Sequence, residues 1–526
     1  MIGSNAYQDA AERLVDRNRN VFSTAPLSRS LPVQSRESEM AKQVQGFISF
    51  MNENPTVYHA TASIARNLEF HGFKRISERG ATRGSLSSPR GWDLKKPGKY
   101  YITRNGTGII AFVIGEKYKP GNGFAMVGGH TDSLCLKVKP VSKKVTKDGY
   151  LQLGVAPYAG AQSMTWWDRD LGLGGRVVVS SKDGKSAVTK LVKLPHAIGR
   201  IPTLAPHFGT PSQGPFNLET QMTPIIGLEP NAPDGTPTAR EGEKHPSRLI
   251  DAIARELGVD ASQIEDADLE MFDTQPAQLG GLDGELLFCP RLDDKICTFA
   301  AFAALIRLAD DPELVANSDT ISLAAGFDDE EIGSRLRQGA MSNFLESTID
   351  RILSCMLCTC CNNNNNSNNS NKGGPSLAVL RDDTMANSFF VSSDVSHAVN
   401  PNFSGVYLDE HKPRLNVGPV MSFDPNGHMT TDAESSALLH RIAKRTKTTI
   451  QYFQIRNDSR SGGTIGPMTS AKLGVRAVEI GIPQLSMHSI RATTGSKDLC
   501  LAIDLFHGVF KYWSQVDNEL VGLDDQ

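Results

Sequence analysis

The chain has 526 residues, too long for one small core, so two domains are the expectation. Hydrophobic residues make up 39% and charged residues 21%, the balance of an ordinary soluble globular protein. A formal net charge of -3 leaves no electrostatic footprint for nucleic acid or an anionic membrane, and no run approaches the roughly 18 apolar residues of a membrane span.

Residues 4–18 can form a short helix with Tyr7, Ala10, Ala11 and Leu14 on one face. The polar stretch 23–39 reads as a linker, so residues 1–40 form a helix-plus-linker segment ahead of the folded part. No apolar secretory core is visible at the N-terminus, and the cysteines suggest no disulfide framework. A reducing, cytosolic site of synthesis is expected. The folded part is expected from residue 41, with a helix around 44–51 and a second over 55–70 capped by Asn54. Strands over 99–104, 108–115 and 124–129 follow. The last delivers His130-Thr131-Asp132, in which the ring can bind a metal while the carboxylate fixes a ligand from behind.

Residues 136–282 change character. Strands over 136–140, 151–156 and 176–180 are separated by Gly, Asp and Pro turns, and few periodic helices appear before 248–257. This reads as a β-rich domain inserted into an α/β domain whose two parts are 41–135 and 283–526. His207, in a turn-rich stretch, is by residue type alone more readily structural than functional.

The α/β pattern resumes at residue 286. Apolar runs over 286–290, 321–325, 388–393 and 477–481 precede Asp293, then Asp328-Asp329-Glu330-Glu331, then Asp394 with His397, then His488. Taken alone, residues 328–331 fit an acidic helix N-terminus as well as a site. Together with His130, however, these strand ends put two histidines and three or four carboxylates at one edge of a parallel sheet, where α/β proteins bind ligands. That is the donor set for a pair of borderline-hard ions, zinc first, with manganese or cobalt as substitutes. Two ions about 3.5–4 Å apart suit hydrolysis. The Cys/Asn-rich tract 355–373 reads as a surface loop, and its cysteines lack a second ligand pair of finger-like spacing.

These stretches resemble the aspartyl aminopeptidase family of binuclear zinc metallopeptidases, in particular its vacuolar aminopeptidase I branch. The resemblance is carried by Gly129-His130-Thr131-Asp132, Trp167-Asp168-Arg169-Asp170, Arg291-Leu292-Asp293-Asp294, Asp329-Glu330-Glu331-Ile332-Gly333, Asp394-Val395-Ser396-His397 and Met487-His488-Ser489-Ile490-Arg491. Ala205-Pro206-His207-Phe208-Gly209 and Asp424-Pro425-Asn426-Gly427-His428 match the vacuolar branch. The resemblance implies an α/β catalytic domain with a mixed, mostly parallel sheet flanked by helices, and an inserted β-rich dimerisation domain. It implies dimers assembled into a dodecamer and release of N-terminal residues from peptides. Asp293 would bridge two zinc ions, with His130 and Asp394 completing one site and Glu331 and His488 the other. Glu330 would be the general base, and Asp132 would orient a metal ligand. His207 would reach a partner subunit's site, and His397 would contact substrate.

One departure bears on specificity. In the acidic-substrate branch a lysine follows Gly-Pro-Val by two residues, whereas here Gly418-Pro419-Val420 leads to Met421 and Ser422. Burying a substrate carboxylate without that cation is costly, so neutral residues such as leucine are expected at the substrate N-terminus. The alternatives are cleavage of N-terminal Asp or Glu in the cytoplasm, another hydrolase on the same metal scaffold, or a self-assembling cargo particle of low activity. The resemblance also implies that residues 1–40 are a propeptide. A selective-autophagy cargo receptor would read its helix and deliver the cytosolic enzyme to the vacuole.

Overall fold

The most apolar runs of the sequence become the middle of a nine-stranded sheet in the computed structural model, which describes residues 22, 33–79, 92–160, 163–362 and 376–522. In sheet order the strands are Lys74–Arg75, Gly98–Arg104, Gly108–Ile114, Ile321–Phe327, Phe124–His130, Phe389–Ser393, Arg476–Gly481, Val420–Phe423 and Gln451–Gln454. The four from Ile321–Phe327 to Arg476–Gly481 run parallel, and an antiparallel strand flanks them on each side. Side chains alternate between the two faces of a strand. Ile109, Ala111 and Val113 accordingly join one core with Phe47, Phe299, Phe506 and Trp513. Ile110, Phe112 and Ile114 join another with Phe327, Phe344 and Ile349.

Helices Val33–Glu53, Val57–Phe70, Leu292–Ala309, Ala433–Thr446 and Asp498–Asp517 contribute to the first core. Phe344–Asn362, Leu377–Ala386 and Ile465–Leu473 contribute to the second. The Leu292–Ala309 helix buries every residue except Arg307; beyond its charged first turn, Asp293-Asp294-Lys295, it is apolar on every face up to Arg307, as expected of a helix enclosed on all sides. Arg307 is itself paired with Asp504 at 2.8 Å.

A separate antiparallel sheet runs in the order Ala187–Lys193, Leu171–Ser180, Ile264–Asp273, Leu136–Lys143, Tyr150–Pro157, Ile225–Leu228. It packs with helix Ser247–Leu257 around its own core of Leu153, Trp166, Leu173, Ile253 and Met271. A third sheet joins Gln278–Gly280, Leu286–Pro290, Arg491–Gly495, Pro483–Leu485 and Ser396–His397.

Several elements of the structure depart from the sequence reading. The first described helix starts at Val33, inside the stretch read as linker: Glu39 and Gln43 are buried and Met40 packs against the first core, so the helix is held well ahead of residue 44. The next helix is capped by Thr56, whose Oγ1 accepts the His59 N–H, and not by Asn54. Residues 355–362 of the expected loop continue helix Phe344–Asn362, and Cys355 is buried. Phe22, within the 1–40 segment placed ahead of the folded part, is 1% exposed and stacks on Phe299 at 4.3 Å inside the core. The expected helix over 4–18 lies outside the described residues. Among the described residues no helix is long and apolar enough to cross a membrane.

Candidate metal centre

Three of the parallel strands converge on one place. Strand Phe124–His130 ends on His130, which pairs in register with Phe327, so the turn carrying Glu330 and Glu331 emerges beside it. On its other side Phe389–Ser393 delivers Asp394. Asp293 and His488 arrive differently from the expectation. Leu286–Pro290 and Pro483–Leu485 belong to the small third sheet, not to the nine-stranded one. The pairing of Leu286–Pro290 with Arg491–Gly495 brings both residues to the same rim.

Small residues let the elements close. A Cβ on Gly129 would stand 2.6 Å from Asp294 Oδ2, and one on Gly481 would stand 1.5 Å from the Asp394 carbonyl oxygen. Arg291, Asp329, Ser486 and His488 all have left-handed backbone, with φ between 55° and 65°. Such conformations cost roughly 1–3 kcal/mol each and persist where surrounding structure demands them.

His130, Asp293 and Asp394 form one group of facing donor atoms, and Asp293, Glu331 and His488 form a second that shares Asp293. His130 Nε2 lies 3.4 Å from Asp293 Oδ1 and 3.6 Å from Asp394 Oδ1. His488 Nε2 lies 3.8 Å from Asp293 Oδ2 and 3.6 Å from Glu331 Oε2. Donors at about 2.0–2.1 Å around a tetrahedral zinc stand roughly 3.3 Å apart, so these separations fit ions between the donors. His130 Nε2 and Glu331 Oε1 are buried without a protein hydrogen bond, as expected of atoms that face a cation.

The electrostatics agree. Burial, with Asp394 and Asp132 adding to it against the pull of His130, pushes Glu330 up to about 8. Burial and Asp293 hold Glu331 well above the ordinary carboxyl range. Burial also raises Asp293, only partly offset by His130. Burial opposes charge on His130, yet Asp132 and Asp394 outweigh it and raise the imidazole well above its usual value. The protein alone concentrates more negative charge than it neutralises, an excess that bound cations would relieve.

Asp132 stands behind the donors. Its Oδ1 accepts from His130 Nδ1 at 3.1 Å and from the Glu330 N–H at 3.2 Å, and its Oδ2 accepts from the Glu331 N–H at 3.2 Å. The acidic stretch 328–331 does not open an α-helix: Glu330–Ile332 is one 3-10 turn, so a long helix dipole is absent there. Burial raises Asp328 to about 6 and Asp329 to about 7, a shift to which Asp132 adds in both.

A cavity of about 600 Å³ opens beside the donors and is lined by Val395, His397, Ser422, Met429, Phe453, Ile455 and the 461–464 loop, among others. His397 packs on Phe453 with ring centroids 5.2 Å apart, and burial lowers its pKa, with His488 adding to the effect. His207, on the exposed turn Pro206–Phe208, is not among the residues lining its own chain's cavity. Three contributors escaped the sequence reading. Asp294 is buried and accepts the His130 N–H at 3.3 Å, and its position next to Asp293 was the available signal. Glu479, fully buried and raised to about 8 by burial, is part of the cavity wall. Tyr158 donates to Asp132 Oδ2 at 2.9 Å, with no signal in its local sequence.

Two donor groups sharing a carboxylate, brought together by the ends of parallel strands and the rim of the small third sheet beside a cavity, are the arrangement of a metal-dependent hydrolase. Residues 50–510 match the family model of the aminopeptidase I zinc metalloproteases (M18), and the chain belongs to that family of zinc aminopeptidases. It is 42% identical to vacuolar aminopeptidase 1 of Saccharomyces cerevisiae over 90% of this chain and 89% of that protein. It is 40% identical to the aspartyl aminopeptidase of Aspergillus oryzae over 90% of this chain and 96% of that one. Among solved structures it resembles the S. cerevisiae mApe1 dodecamer, with a TM-score of 0.75, 38% identity and coverage of 90% and 98%. The complex of Ape4 with Nbr1 matches with a TM-score of 0.82, 36% identity and coverage of 91% and 87%.

Proposed function

We propose that this aminopeptidase holds two zinc ions and releases neutral or apolar N-terminal residues, such as leucine, from peptides. His130, Asp293 and Asp394 would hold one ion, and Asp293, Glu331 and His488 the other, with manganese or cobalt able to substitute. Zinc held in this way supplies Lewis acidity toward water and toward the scissile carbonyl. Glu330, beside both groups but a member of neither, accepts a proton from the attacking water and passes it to the leaving amine. Asp132 keeps the His130 ring turned toward the donors. His397 in the cavity wall contacts the substrate, and His207 serves the site of a neighbouring subunit.

The observation that carries the specificity is the cavity lining. Among the described residues it includes no Lys or Arg, while Val395, Met429, Phe453 and Ile455 are apolar and Ser422 stands where the acidic-substrate branch has its lysine. A substrate carboxylate would be desolvated there without a Lys or Arg to pair it, at a cost of several kcal/mol. Relative rates on leucyl- and aspartyl-arylamides test this reading. Leucine should be favoured in kcat/KM by at least tenfold, and an aspartyl preference overturns it.

The β-rich sheet and its loops carry exposed Val141, Val188, Leu204, Phe208 and Leu228, apolar surface suited to association. We read residues 136–282 as the dimerisation unit of a dodecamer, the assembly formed by the similar S. cerevisiae mApe1. Residues 1–40 are read as a propeptide that a cargo receptor recognises, in line with an Ape4–Nbr1 complex among the similar structures, and the vacuole as the destination. Likeness to the aspartyl aminopeptidase of Aspergillus oryzae supports a second reading, an acidic-residue peptidase in the cytoplasm, against which Ser422 stands.

A further inference from the structure

Asp132 is the residue through which the metal donors are held, and one of its four hydrogen bonds comes from outside the α/β domain. Tyr158 immediately follows strand Tyr150–Pro157 of the β-rich sheet, is 9% exposed, and donates its hydroxyl to Asp132 Oδ2 at 2.9 Å. The ring is held from its own sheet. The Lys137 ammonium lies 4.9 Å from the ring centroid and is itself paired with Glu270 at 2.5 Å. The main chain closes on the second donor group a few residues later. A Cβ on Gly160 would lie 3.4 Å from His488 Nδ1, and the Thr165 hydroxyl accepts the Ile490 N–H at 2.9 Å. Tyr158, Gly160 and Thr165 thus meet both halves of the donor cluster.

We propose that Tyr158 is a positioning residue of the metal centre, by which the β-rich unit fixes Asp132 and, through it, the His130 ring and the Glu330–Glu331 turn. This rests on the metal assignment made above. A carboxylate with its four acceptor positions engaged has one orientation, and the His130 Nδ1 bond then fixes which ring nitrogen faces the ions. Removing the Tyr158 hydroxyl leaves Asp132 Oδ2 with the Glu331 N–H as its remaining donor among the described residues, free to swing away from the turn it organises. The phenol remains a donor at any physiological pH, since burial and Asp132 push its pKa far above the usual tyrosine value. Geometry of the site would therefore depend on how the β-rich unit is seated.

The test is Tyr158→Phe in the full chain, which keeps the ring and its packing. Zinc affinity is measured by competition with a chromophoric zinc chelator, alongside kcat, KM and the melting temperature of the metal-stripped protein. Loss of an outer hydrogen bond to a metal-ligand network costs about 10–100-fold in metal affinity or activity. The expected result is a loss of that size in zinc affinity, with kcat down by about tenfold and KM changed less than threefold. The metal-stripped melting temperature should stay near that of the parent. Asp132→Asn and the double variant complete the cycle: once Asp132 is changed, Tyr158→Phe should add little further loss. Zinc affinity and kcat both within twofold of the parent, a drop in melting temperature alone, or losses that add in the double variant would each overturn the proposal. A parent chain that takes up no zinc overturns the metal assignment instead.

Discussion

Replacing Glu330 by glutamine tests the separate roles proposed for two adjacent glutamates. Glu330 Oε2 lies 3.9 Å from His130 Nε2, yet Glu330 belongs to neither three-donor group, whereas Glu331 Oε2 lies 3.6 Å from His488 Nε2 inside one of them. The amide has the shape of the acid, and the Glu330 N–H bond to Asp132 is a main-chain bond that the substitution leaves in place. The loss is therefore the general base alone, about 10²–10⁴-fold in kcat. At 1.36 kcal/mol per decade this is about 3–5 kcal/mol of barrier. Glu330→Gln should keep the zinc content of the parent and its melting temperature, measured by atomic absorption and scanning calorimetry. Glu331→Gln removes a donor and should lower zinc content together with activity. Hydrolysis of a leucyl-arylamide at saturating substrate gives the rates. Glu330→Gln retaining more than about a tenth of the parent kcat, less than the smallest loss expected of a general base, would refute the assignment. So would a variant pair in which Glu330→Gln loses zinc and Glu331→Gln keeps it.

Two further predictions use parts of the molecule away from the donors. Deleting residues 2–20 spares Phe22 and its stack on Phe299, so peptidase activity should persist while the enzyme stays in the cytosol of a host that has a vacuole; normal vacuolar arrival ends the propeptide reading. Burial raises Asp498 to about 7, even though its Oδ2 accepts the N–H groups of Asn416 and Gly495. The folded chain then holds a proton that the unfolded chain has released above about pH 4. Asp498 therefore favours folding less and less as pH rises from about 4 through 7, by an amount on the order of a few kcal/mol in total. Urea unfolding at pH 5 and pH 8 should show a smaller decline for Asp498→Asn than for the parent; equal declines would place the Asp498 pKa near that of an ordinary carboxyl group.

Much of the centre could be read from local pattern. His130 and Asp394 end or follow strands whose every residue is buried, and a run of apolar residues ending in a polar one records that arrangement directly. The Glu330–Glu331 turn after Ile321–Phe327 was visible for the same reason. Periodicity, however, reports how one segment is buried and says nothing of what pairs with it. Asp293 and His488 reach the rim through the pairing of Leu286–Pro290 with Arg491–Gly495, far apart in the chain, and the sheet they come from is not the parallel one. The helix around the clustered cysteines and the seat of Phe22 on Phe299 depend likewise on what packs against them. Tyr158 is the sharpest case. In sequence it follows a β-strand, 26 residues beyond Asp132, and the hydroxyl finds its carboxylate where the β-rich unit meets the α/β domain. Which residues could bind a metal follows from side-chain chemistry, while which ones meet depends on contacts made between distant segments as they pack.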